Sequence, residues 1–189
     1  MRNIVVFLDR DGTIIEDKDF IKSPDEIEFI PGSIEAIKIF KKMGYIIVVI
    51  SNQSGIGRGI LTEKMVKEVN DSFVQQLRER GTPVDALYFC PHHPADNCDC
   101  RKPETGMIRR AVTEHKLDLK EAVVIGDKLS DIELGRRIGA TSILVLTGYG
   151  TKEREKLQYT TLKPDFVADD LLGAVNWLQD SIDKKSKLV

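Results

Sequence analysis

The sequence predicts a doubly wound α/β domain, a parallel sheet with helices on both faces. Two observations predict it. Short apolar runs rich in β-branched residues recur along the chain, and segments with helical three-and-four spacing separate them. Continuous apolar runs of this length suit strands buried on both faces. Their alternation with helices gives right-handed crossovers and a Rossmann-like layering.

The runs are Ile4 to Leu8, Tyr45 to Ile50, Val84 to Cys90, Ala122 to Ile125 and Ser142 to Leu146. The first helix follows Pro31-Gly32-Ser33, with Ile34, Ile37 and Phe40 on one face and Gly44 as its stop. The second begins after Thr62, carries Val66, Val69, Phe73 and Leu77, and ends at Gly81. Met107, Ala111 and Val112 mark a third. Ser130 and Glu133 have the capping-box spacing of a fourth, closed by Gly139. Thr151 to Lys156 reads as helical, Phe166-Val167 as an edge strand and Leu171 to Leu178 as a last helix. There is no internal repeat or linker, so residues 1–189 read as one domain with a polar, frayed tail at 183–189.

Composition narrows the function. Apolar residues are 41% and charged residues 31%, as in a soluble globular chain. The 28 Lys and Arg face 30 Asp and Glu, a net charge of −2, without the basic excess that nucleic acid requires. No stretch approaches the ~20 apolar residues of a membrane span. Met1-Arg2-Asn3 leads into an apolar run too short for a secretory signal. These features predict a cytoplasmic protein without nucleic-acid or membrane partners.

The ends of four runs carry the unusual chemistry: Asp9-Arg10-Asp11-Gly12-Thr13, Ser51-Asn52-Gln53, Arg101-Lys102-Pro103 beyond a cysteine loop, and Gly126-Asp127-Lys128 with Asp131. In open α/β sheets ligands bind at the carboxyl ends of strands. A lone Asp-x-Asp usually caps a turn, but four loaded strand ends make a phosphoryl-transfer kit. Asp9 and Asp11 share one side of an extended segment, so one can attack phosphorus while the other handles protons. Carboxylates facing a phosphate need a cation between them, and Mg²⁺ with Asp127 as a further ligand meets that need. Lys102 and the Ser51 hydroxyl can stabilise charge on the transferring oxygens.

In that order these segments resemble the motifs of the haloacid dehalogenase (HAD) superfamily, over roughly Ile4 to Gly148. The resemblance implies a HAD-like phosphatase with an aspartyl-phosphate intermediate. Asp9 is then the nucleophile and Asp11 the general acid and base; Ser51 and Lys102 hold the phosphoryl group. Asp9, Asp127 and the main-chain carbonyl of Asp11 bind Mg²⁺. The spacing between motifs leaves no room for a large cap domain, so the site should be open, with flap residues Asp17 to Phe20 reaching the substrate. Small cap-less relatives of this kind are often monomers.

Cys90-Pro91-His92-His93-Pro94 and Cys98-Asp99-Cys100 pack three Cys and two His into eleven residues. A structural zinc ion needs four such ligands; buried free thiols are the alternative, in a loop whose prolines and charges make poor core. The loop 90–100 resembles the zinc loop of two HAD branches, the heptose bisphosphate phosphatases and the histidinol-phosphate phosphatases. That resemblance implies Cys90, His92, Cys98 and Cys100 as ligands, without His93.

Asn52 to Gly59, the Cys-Pro-His-His start, Gly126-Asp127-Lys128 and Leu146-Thr147-Gly148 resemble the heptose branch, which serves lipopolysaccharide heptose synthesis. The implied substrate is a small phosphorylated sugar, D-glycero-D-manno-heptose 1,7-bisphosphate, cleaved at C7. Asp17, Asn52, Arg101 and Lys128 are then the substrate contacts. Arg58 reads equally as a contact or as a solvated loop residue. Only Ala95, Asp96 and Asn97 separate Pro94 from Cys98, a short form usual in the histidinol branch, which keeps histidinol phosphate as the alternative. A non-catalytic phospholigand-binding relative is the reading from another class; it should have lost Asp9 or Lys102, and both are present.

Overall fold

The computed structural model describes residues 4–186. Among them six strands form one sheet: β1 (Ile4–Leu8), β2 (Ile46–Asn52), β3 (Ala86–Cys90), β4 (Asp118–Gly126), β5 (Thr141–Val145) and β6 (Phe166–Ala168). The order is β3-β2-β1-β4-β5-β6 and every neighbouring pair is parallel. The helices are α1 (Ser33–Lys42), α2 (Glu63–Glu79), α3 (Gly106–His115), α4 (Leu129–Ile138), α5 (Gly150–Lys156) and α6 (Leu171–Ser186).

Alternation along the central strands builds a core on each face. Val6 and Leu8 of β1, Ile47 and Val49 of β2, and Val123 and Ile125 of β4 pack with residues of α1, α2 and α6. Val5, Phe7, Val48, Ile50 and Val124 point the other way, into a cluster with Met107, Ile108 and Ala111 of α3 and Leu134 of α4. Residues 5–8 are wholly inaccessible, which explains why β1 reads as an unbroken apolar run. Each such side chain contributes roughly 1.5–3 kcal/mol by leaving water.

The expected elements are present, and their edges differ for physical reasons. β4 starts at Asp118 rather than Ala122, and its pairing with β1 shifts register between Ile4 and Val6. β3 starts at Ala86 because Asp85 turns back: its carboxylate accepts from the Ile47 N–H at 2.7 Å. The cap of α4 lies earlier than the Ser130–Glu133 spacing suggests. Asp131 accepts from the Lys128 N–H at 3.2 Å, while Glu133 pairs with Arg137 at 2.7 Å. Helix α6 continues through Asp183 to Ser186, past the point where the polar tail was expected to fray; residues 187–189 lie outside the described residues.

The chain builds outward from β1 to β3, then crosses to β4 and builds outward again. The direction therefore reverses between β1 and β4, where this sheet class opens a crevice at the strands' carboxyl ends.

Candidate active site

Asp9 follows β1 and Asp127 follows β4, one on each side of that reversal. The strand hydrogen bonding carries on past β1, with Asp9 N–H donating to Ile125 C=O at 2.9 Å. Asp131 arrives on the first turn of α4. One carboxylate oxygen from each of Asp9, Asp127 and Asp131 lies within 4.8 Å of the others.

Two glycines make this approach possible. A Cβ on Gly12 would sit 2.2 Å from Asp127 Oδ2, and one on Gly148 would sit 2.4 Å from the same oxygen. Both have positive φ, at +82° and +54°, a conformation that side chains disfavour. Backbone thus encloses Asp127, and the Tyr149 N–H donates to its Oδ2 at 2.8 Å. Its Oδ1 is buried without a hydrogen-bond partner. Burial, then the neighbouring charge of Asp9, pushes the Asp127 carboxyl up to about 8. A small hard cation fits this donor set: carboxylate oxygens, close together, short of positive charge.

Lys102 provides the cation that is part of the chain. Its ammonium lies 2.8 Å from Asp9 Oδ1 and 2.6 Å from Asp131 Oδ1, and it donates to Ile50 C=O at 3.0 Å. Burial pushes the Asp131 carboxyl up to about 6, opposed by Lys102. Asn52 grips the Lys102 main chain: its Oδ1 accepts from the Lys102 N–H at 3.0 Å and its Nδ2 donates to the Lys102 C=O at 3.2 Å. Expected as a substrate contact, Asn52 thus spends much of its amide on holding Lys102.

Asp11 is turned away from the carboxylate cluster. Its two oxygens each accept from Arg10 Nε and Nη2, at 3.0–3.2 Å, and its Oδ2 accepts from Gln53 Nε2 at 2.8 Å. The Ser51 hydroxyl donates to it at 3.3 Å, and Gln53 Nε2 also donates to Ser51 Oγ at 2.8 Å.

In front lies a crevice of about 390 Å³, lined by Asp11, Asp17, Asp19, Phe20, Asn52, Arg58, Arg101, Lys102, Lys128 and Tyr149 among others. The flap crosses it. Asp17 Oδ2 is 2.9 Å from the Lys128 ammonium, which stands 4.7 Å above the Tyr149 ring, and Tyr149 donates to Asp19 at 2.8 Å. Desolvation of Lys128 is outweighed by Asp9, Asp127 and Asp17, which hold its pKa above the usual lysine range. The expected contacts Asp17, Arg101 and Lys128 therefore converge on one opening, with Arg101 Nη1 buried and unpartnered. Arg58, exposed, stands at the rim.

Beside the crevice the loop after β3 brings Cys90, His92, Cys98 and Cys100 together. Their sulfurs are 3.1–3.5 Å apart, and His92 Nδ1 lies 3.2 Å from Cys100 Sγ and 3.6 Å from Cys90 Sγ. These spacings are far too long for disulfides and a little tighter than the ~3.8 Å edge of a tetrahedron with 2.3 Å zinc–sulfur bonds. His93 is occupied elsewhere, accepting from the Ala95 N–H at 3.1 Å and donating its own N–H to Asp96 at 2.8 Å. Gly57 docks on this loop: its N–H donates to Pro91 C=O at 2.8 Å, and a Cβ would meet the His93 nitrogen at 2.2 Å.

From sequence alone no role attaches to Arg10, Gln53 or Asn70, and none of its own in the site to Asp131. Arg10 and Gln53 sit within quoted motifs, which was a usable signal; Asn70 lies among helix-spaced residues and offered none.

Comparison with known proteins agrees with this geometry. Residues 99–174 match the family described as HAD-hydrolase-like. The D-glycero-beta-D-manno-heptose-1,7-bisphosphate 7-phosphatase of Pasteurella multocida is 35% identical over 190 residues, covering 97% of this chain and 95% of its own. That of Escherichia coli K12 is 36% identical, covering 96% and 95%. The crystal structure of D,D-heptose 1,7-bisphosphate phosphatase from B. bronchiseptica, complexed with magnesium and phosphate, superposes with a TM-score of 0.84 at 36% identity, covering 96% of this chain and 99% of that one.

Proposed function

The chain belongs to the D-glycero-beta-D-manno-heptose-1,7-bisphosphate 7-phosphatases of the HAD-like hydrolases, and on that premise we propose that it is a magnesium-dependent phosphatase removing the C7 phosphate of D-glycero-D-manno-heptose 1,7-bisphosphate. The observation that carries the reading is the buried set of Asp9, Asp127 and Asp131 against Lys102 at the sheet's reversal point. In support, the similar phosphatase from B. bronchiseptica is complexed with magnesium and phosphate.

The roles divide as follows. Asp9 Oδ1 is held by Lys102 and by the Arg10 N–H at 2.8 Å each, which leaves Oδ2 to attack phosphorus. As the bond from phosphorus to the sugar oxygen breaks, the Asp11 carboxyl gives its proton to that oxygen. Water then attacks the phosphorus of the aspartyl phosphate, Asp11 takes a proton from it, and Asp9 leaves as carboxylate. Lys102 and the Ser51 hydroxyl stabilise charge on the transferring oxygens. Bound by Asp9, Asp127 and the Asp11 main-chain carbonyl, Mg²⁺ would offset the repulsion between the carboxylates and the phosphate. Asp17, Arg101 and Lys128 meet the sugar and its remaining phosphate in the crevice, where cations suit a bisphosphate.

The four Cys and His side chains support a structural Zn²⁺, with every position filled by the protein. We read residues 1–189 as one domain working as a cytoplasmic monomer. In support, no helix among the described residues is long and apolar enough to cross a membrane, and the exposed large apolar side chains Ile60, Tyr159 and Ile182 are scattered singly.

One observation favours histidinol phosphate instead, the short turn Pro94–Asp96 in the cysteine loop beside the crevice. The deciding experiment compares phosphate release from the heptose bisphosphate and from histidinol phosphate at equal concentration with Mg²⁺. One phosphate per heptose and a strong preference for it support the proposal; preference for histidinol phosphate overturns its substrate.

A further inference from the structure

Arg10 is the largest of the fully buried side chains, 1% exposed, and its position between two acidic residues does not by itself require burial. Its guanidinium faces two ways. Nε and Nη2 each donate to both oxygens of the Asp11 carboxylate, while Nη1 donates to Asn70 Oδ1 at 2.5 Å, sixty residues on in the chain. Asn70 is itself 6% exposed on the inner side of α2, and its Nδ2 has no hydrogen-bond partner. Asn70 therefore sits in an apolar helix face, and among the described residues its side-chain hydrogen bond is to Arg10.

We propose that Asn70 and Arg10 are positioning residues for Asp11: α2 fixes the guanidinium through Asn70, and the guanidinium fixes the rotamer of the Asp11 carboxylate from behind. The inference rests on the role given to Asp11 above. An aspartate side chain has few rotamers but a broad terminal torsion. Its oxygens can therefore drift unless something planar holds both. The Arg10 guanidinium does this, since Nε lies 3.2 Å and Nη2 3.0 Å from each of the two oxygens, so both donors bear on both; an ammonium offers a single point of charge. Gln53 and Ser51 hold the same carboxylate from the side of β2, so it enters the crevice at a fixed angle. Arg10 cannot reach the crevice itself, since it is sealed behind Asp11.

A proton donor works only within hydrogen-bond reach of the leaving oxygen, and a displacement of ~1 Å can cost ~10²-fold. The need for the donor depends on the leaving group. A sugar alkoxide must be protonated as it departs, whereas 4-nitrophenolate departs without a proton. Loosening of Asp11 alone should therefore slow sugar phosphate cleavage and spare the aryl phosphate.

The test measures kcat/KM, which reports the step up to the aspartyl phosphate, for the heptose bisphosphate and for 4-nitrophenyl phosphate. Asn70→Leu is expected to lower the first about tenfold and the second less than twofold, and Asn70→Asp, which keeps an acceptor for Nη1, to restore it. Should Leu prevent folding, Asn70→Ser draws the acceptor out of reach of Nη1 and gives the same reading. Equal losses on both substrates would assign Asn70 to general packing and overturn the proposal, as would an unchanged sugar rate. Asp11→Asn separates the two levels: a full sugar rate in that variant sinks the role of Asp11 itself, whereas a selective sugar loss there with none at Asn70 sinks only the positioning.

Discussion

Lys102 Nζ lies 2.8 Å from Asp9 Oδ1, with the two side chains only 2% and 6% exposed. Burial alone would lower the lysine's pKa, but Asp131 and Asp9 more than reverse this, so it is held above its ordinary value. The ammonium thus remains charged throughout the neutral range and balances the proposed nucleophile before substrate arrives.

Removing that cation leaves Asp9 and Asp131 buried without the counter-charge that touches them. Lys102→Met is expected to destabilise the metal-free protein by about 3 kcal/mol, because breaking a buried pair costs far more than the pair is worth. Denaturant unfolding in EDTA measures it. Turnover should fall at least ~10²-fold, as for loss of a charge-stabilising group. An unchanged midpoint in EDTA would mean that the buried charges are compensated some other way.

Asp9→Asn keeps the shape of the side chain and removes its nucleophilicity. Phosphate release should fall by ~10⁴-fold or more while the melting temperature stays within a few degrees of wild type. Substantial turnover in a freshly prepared, sequence-verified variant would take the nucleophile's role from Asp9.

Cys98→Ser removes one of the four gathered donors. Zinc content measured by elemental analysis should fall from about one per chain, and the melting temperature should fall with it, since structural zinc contributes directly to folding. Wild-type protein purified without zinc and with a full melting temperature would show that the thiols pack without a metal.

The Asp127 carboxyl, pushed from 3.8 up to about 8, sets a pH dependence. Between those values the folded chain keeps a proton that the unfolded chain has lost, so the metal-free fold weakens as pH rises. A cation needs the ionised form. The rise in melting temperature on adding Mg²⁺ should therefore be larger at pH 8 than at pH 6. An equal rise at both would place the binding elsewhere.

The strands were legible because burial on both faces forces unbroken apolar runs such as Val5–Leu8. Their limits were less so, since β4 opens on Asp118, Leu119, Lys120 and Glu121, whose three charged side chains break the apolar run. The acidic and cysteine clusters were visible because their residue types are rare at such spacing. What escaped depends on tertiary direction. That Asp131 joins Asp9 follows from how α4 starts, and a two-residue shift of its cap, from Ser130 to Lys128, hid this. Nothing in the sequence marks Arg10 as interior; its burial and its hydrogen bond to Asn70 of α2 belong to the folded chain.

The strand order has a consequence for how the protein is made. β1 is first in the chain and central in the sheet, and its second neighbour, β4, ends at Gly126. A ribosome must therefore deliver the chain as far as Gly126 before the strand bearing Asp9 is flanked on both sides. Until then a fully apolar strand has one edge open to pairing with other chains. Shortened products that stop before Gly126 are expected to be aggregation hazards rather than weak enzymes.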